Sequence, residues 1–60
     1  MYIVSDSRNG VYRIVAKFSG VKAQESAKRW AKSDSKVTRL RSPRIFAALG
    51  LGQKLPARYA

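Results

Sequence analysis

The order of hydrophobic periods along this 60-residue chain predicts a small α+β domain. In it, a three-stranded sheet carries one main helix on one face, in the order β-β-α-β, followed by a short helical segment. Three observations support this. Asn9-Gly10 stands between two β-prone runs; the apolar period lengthens from two residues to a helical one after Gly20; and it shortens again from Lys36 to Arg41. There is no cysteine to staple the chain, and a chain of this size buries only about 60% of its potential surface. One domain over 1–50 is therefore expected, with 51–60 as a tail that is flexible alone.

Met1 to Val4 is a short β-prone run leading into the polar stretch Ser5 to Gly10. Asn-Gly tolerates positive φ and is a strong hairpin signal. The polar stretch is longer than a two-residue turn, which leaves the register open. Val11 to Phe18 alternates, with Tyr12, Ile14, Ala16 and Phe18 on one face and Val11, Arg13, Val15 and Lys17 on the other.

From Lys22 to Ser33, Ala23, Ala27, Trp30 and Ala31 share a helical face. Trp30 supplies most of that stripe's apolar area, and its truncation is expected to cost about 3–5 kcal/mol if it is buried. Ser33 to Ser35 breaks the helix, and Lys36 to Arg41 reads as the third strand. With Thr38 and Leu40 facing the helix, Arg39 and Arg41 would project together from the opposite side, beside Arg13 and Lys17. A right-handed crossover would make the second and third strands parallel, with the first between them and antiparallel to both. Ser42-Pro43 is a helix start: serine caps and proline fits the first helical position. Ile45 to Leu49 then forms a turn or two, stopped by Gly50.

The charge balance bounds the function. Thirteen Lys and Arg face three acidic residues, for a net charge of +10, and seven of the thirteen fall between Lys28 and Arg44. Such an excess is an argument about partners. With no histidine or cysteine, neither a metal centre nor an activated serine has its usual ligands or base. Asp6, Glu25 and Asp34 lie in separate elements among polar or basic neighbours, so no carboxylate pair is set up for acid–base work. No catalytic residue, metal site or cofactor site is expected.

The candidate contacts are Lys28, Arg29, Lys32, Lys36, Arg39, Arg41 and Arg44, with Arg13 and Lys17 as additional ones. If the third strand returns beside the helix, the set surrounds one rim and its field attracts phosphates. Arginine adds paired hydrogen bonds to phosphate or carboxylate. The same residues would also serve as the solvated face of a strand and turn. The aromatics Tyr2, Tyr12, Phe18, Trp30 and Phe46 fall at positions a small core would claim, so base stacking on an exposed aromatic is not supported. A helix-turn-helix is not supported either.

The expected partner is DNA or RNA, with an acidic protein surface as the alternative. Ile45 to Leu49, with Leu51 and Leu55, would either pack on the sheet or anchor a protein partner. An exposed strand edge could pair two copies. No membrane span is expected, because the longest largely apolar run, Ile45 to Gly52, is far short of the roughly 20 residues needed. Asp6 and Arg8 interrupt any signal-peptide core. A cytoplasmic setting is expected.

The segment from Ala27 to Pro43 resembles a known layout. A helix containing Trp30, a polar break and then Lys-Val-Thr-Arg-Leu-Arg-Ser-Pro is similar to the small T7-type bacteriophage proteins that inhibit bacterial RNA polymerase. The resemblance implies a three-stranded antiparallel sheet with one helix. It also implies binding at the polymerase jaw, near the downstream DNA channel, in a host cytoplasm. Arg39 and Arg41 look like that family's last-strand arginines. The chain departs from the family in its strongly basic composition and in continuing well past the last strand.

Overall fold

The structure, a computed structural model, describes residues 1–59. Strands β1 (Tyr2–Arg8) and β2 (Val11–Phe18), helix α1 (Ala23–Trp30), strand β3 (Ser35–Arg39), helix α2 (Pro43–Ala48) and a 3-10 turn (Ala57–Tyr59) follow in order. The sheet order is β2-β1-β3, and β1 is antiparallel to both neighbours. This is the expected α+β arrangement.

The hairpin is tighter than the polar sequence suggests. β1 runs through Arg8, and only Asn9 and Gly10 turn the chain, at φ 55 and 79. Positive φ at both positions is the signature of a type I′ turn, whose twist matches the flanking strands. Ser5 to Ser7 are strand despite their polarity because Ser5 and Asp6 pair with both neighbouring strands and Ser7 with β2.

The two faces of β2 are not those that simple alternation gives. Val4 pairs with Ala16 but Ser5 pairs with Ile14, so Val15 is the extra residue of a β-bulge. Ala16 and Phe18 therefore share a face with Tyr2 and Val4, while Tyr12, Ile14 and Lys17 lie on the other face with Ile3. The same register corrects β3. Thr38 stands opposite Ile3, on the face away from Val4, whereas Val37 and Arg39 align with Val4 and Tyr2.

Each face has its own cover. On the Val4 face lies α1, seated on Ala23 and Ala27, both buried. The helix is shorter than expected because Ala31 leaves it at ψ 142. Lys32 N–H donates to Ser35 Oγ at 2.9 Å, and that hydroxyl donates to Asp6 Oδ1 at 2.6 Å. These bonds turn the chain out of the helix and into β3.

The opposite face is covered by the C-terminal segment. Ile3, Ile14, Leu40, Leu49 and Leu55 form the buried cluster, with Met1, Tyr12, Ile45, Phe46 and Tyr59 packed around it. Ile45 and Phe46 thus face the core. As the sequence suggests, Ser42 Oγ caps α2 by accepting from Ile45 N–H, with Pro43 just inside the helix.

Residues 52–55 run beside the outer edge of β2. Ile14 N–H donates to Gln53 carbonyl at 2.9 Å, Gly52 N–H to Ile14 carbonyl at 2.7 Å, and Leu55 N–H to Tyr12 carbonyl at 2.8 Å. Leu55 is 2% exposed. Without residues beyond 50, the cluster on this face would lack one of its five buried side chains.

Candidate nucleic-acid interface

Strand β3 separates the cations that lie close together in sequence. It starts opposite Asp6, near the hairpin turn, and ends opposite Tyr2 at the far end of the sheet. Four strand rises span about 13 Å. Lys28 and Arg29 in the last turn of α1, and Lys32 bonded to Ser35, therefore lie toward the hairpin end. Arg39, Arg41 and Arg44 follow at the other end, along the exit from β3 and the start of α2. The expected single rim is thus two patches.

Lys17 and Lys36 belong to neither patch in the way the sequence suggests. Lys17 Nζ lies 4.5 Å from the centroid of the Phe46 ring, and Lys36 Nζ lies 5.7 Å from that of Tyr12. Both lysines are only partly exposed and lie along the C-terminal layer. Their alkyl stems and charges are engaged by rings at the edge of the core. Arg13 is across the sheet from Lys17, because the bulge at Val15 reverses the alternation between them. It pairs in register with Asp6 and donates from Nη1 to Gly52 carbonyl at 3.1 Å.

The hairpin end holds further exposed side chains that the sequence does not point to. Arg8, the last residue before the turn, joins Arg13, Asp6 and Asp34 around a shallow cleft of about 340 Å³. Cross-strand reading of the Asn9-Gly10 hairpin would have placed Arg8 there. Trp30 is the second omission: it is 45% exposed, not buried. Ala23 and Ala27 seat the helix on the sheet, but Trp30 comes at its last residue, where the helical stripe runs past its support.

Few of the cations have an acidic partner among the described residues. Among the described residues the one ion pair is Arg29 with Glu25, at 3.8 Å between exposed side chains. A pair of that kind contributes a few tenths of a kcal/mol. Asp6 is engaged by the Ser35 hydroxyl. Lys28, Lys32, Arg39, Arg41 and Arg44 are exposed and form no ion pair among the described residues. The free edge of β3 carries Lys36 and Arg39, and cations on an edge oppose strand pairing with a second copy.

Among the described residues no three acidic side chains come together as a metal site, and no helix is long and apolar enough to cross a membrane. Fold and site together define a small α+β domain with unpaired cations at both ends of its sheet. Comparison with protein-family models, with curated proteins and with solved structures finds no match for this chain.

Proposed function

We propose that this chain is a small non-enzymatic nucleic-acid-binding protein of the cytoplasm, holding DNA or RNA mainly through phosphate contacts. The observation that carries the reading is the lack of internal compensation: thirteen cations, with one ion pair among the described residues. A cation excess of this size is most readily balanced by a polyanion, whose condensed counterions are released on binding. The hairpin-end group of Lys28, Arg29 and Lys32, with Arg8 and Arg13 beside it, is the principal contact. Arg39, Arg41 and Arg44 form a second.

The test is the affinity for a labelled duplex as a function of salt. Four phosphate contacts give a slope of about −3.6 in log K against log salt, roughly a hundredfold loss between about 50 and 200 mM. Replacing Lys28 and Lys32 together by glutamine should flatten that slope by about 2. An affinity that does not change with salt would overturn the reading.

The alternative is docking on the acidic surface of a host protein such as bacterial RNA polymerase. It retains Arg39 and Arg41, which are exposed, but loses its apolar anchor, because Ile45, Phe46 and Leu49 pack into the core. A protein complex that survives nuclease treatment would favour that alternative.

A further inference from the structure

We propose that Trp30 is a stacking platform for an unpaired base, so that the preferred ligand is a single-stranded stretch of nucleic acid and not a uniform duplex. This rests on the nucleic-acid reading above and specifies its ligand. Trp30 is the one tryptophan of the chain, and it is the only aromatic among the exposed large hydrophobic residues Val21, Trp30 and Leu51. Phe46, Tyr12 and Tyr59 pack against the core.

Its surroundings are cationic. Lys28 and Arg29 share its helical turn but leave the helix in other directions, and Lys32 follows two residues later, so the three cations are spread around the helix end that carries the indole. The acidic groups nearby are Glu25, which is paired with Arg29, and the exposed Asp34.

Helix electrostatics account for some of this charge, because cations near a helix C-terminus complement its dipole. They do not account for a half-exposed indole in the same turn. An indole face presents a broad apolar surface to a base of any identity, and the flanking cations can hold the phosphates on either side. That combination is how sequence-tolerant single-strand binders work. A duplex keeps its bases stacked internally and offers Trp30 no face, so it would engage the cations alone.

The fluorescence of Trp30 reports directly on the proposal. Full-length protein would be titrated with a labelled oligothymidylate of about a dozen nucleotides, an abasic strand of equal length, and a duplex. Anisotropy gives the affinity and indole emission gives the stacking. Base-containing single strand should quench the indole strongly, whereas abasic strand and duplex should bind with little quenching. Trp30→Ala, checked for folding by circular dichroism, should bind oligothymidylate at least about fivefold more weakly. It should bind the abasic strand as the parent does, and Trp30→Phe should recover most of the loss. Unchanged oligothymidylate affinity in Trp30→Ala, with no quenching in the parent, would overturn the stacking role and leave the phosphate-binding reading standing. Failure of all three probes to bind the parent would overturn both.

Discussion

The two faces of the sheet are covered in opposite ways. On one, α1 rests on two alanines, Ala23 and Ala27, over a sheet face whose one fully buried large apolar side chain is Val4. On the other, the C-terminal segment brings Leu49 and Leu55 onto Ile3, Ile14 and Leu40. Burial of branched side chains stabilises by about 1.5–3 kcal/mol each, far more than an alanine can. Five large buried side chains on that face, against Val4 and two alanines on the other, concentrate stability in the C-terminal layer. The helix layer, relieved of that task, can leave an indole and its neighbouring cations in solvent. The division matters in so small a domain, whose single core rarely supplies more than about 3–5 kcal/mol.

The sharpest way to break the comparison is to truncate one large side chain in each layer. Leu55→Ala should cost about 2–5 kcal/mol and leave much of the population unfolded at room temperature. Trp30→Ala should cost about 1–2 kcal/mol, because roughly half of the indole already meets water. Urea unfolding followed by circular dichroism measures both. The reverse order of midpoints would place the core under the helix. A smaller effect sharpens the account of the C-terminal layer. Ser42→Ala removes the cap that accepts from Ile45 N–H and should lower stability by about 1 kcal/mol, read as a shift of the same midpoint. No shift would mean that α2 is held by its packing alone.

What the sequence made legible, and what it hid, divides along physical lines. Local signals translated well: Asn9-Gly10 turns the hairpin, Ser42-Pro43 starts α2, and the order of periods gives the α+β sheet with one main helix. Each of these depends on a few adjacent residues. The Val15 bulge was hidden because alternation assumes a regular pleat. One inserted residue reverses which side chains face inward, and with it the grouping of Arg13 with Lys17.

The end of α1 was hidden because it depends on Ser35 meeting Asp6 from a distant part of the chain. Trp30 lay on the correct helical stripe, but a stripe gives direction and not how far the supporting sheet extends. Leu55 looked like part of an irregular tail because its burial comes from hydrogen bonds to the edge of β2, which leave no periodic trace. For the site, the residue types were readable and their separation was not. The cations from Lys28 to Arg44 are consecutive in the chain, yet β3 carries them to opposite ends of the sheet.

The claim on which this division rests is that residues 51–59 are an integral layer of the fold. Amide hydrogen exchange tests it most directly, at the N–H groups of Gly52 and Leu55, which donate to Ile14 and Tyr12 carbonyls. If the layer is integral, Leu55 N–H exchanges about as slowly as the amides of central strand β1, since both open only when the core opens. Exchange of Leu55 at the rate of an unstructured chain, while β1 stays protected, would contradict the account.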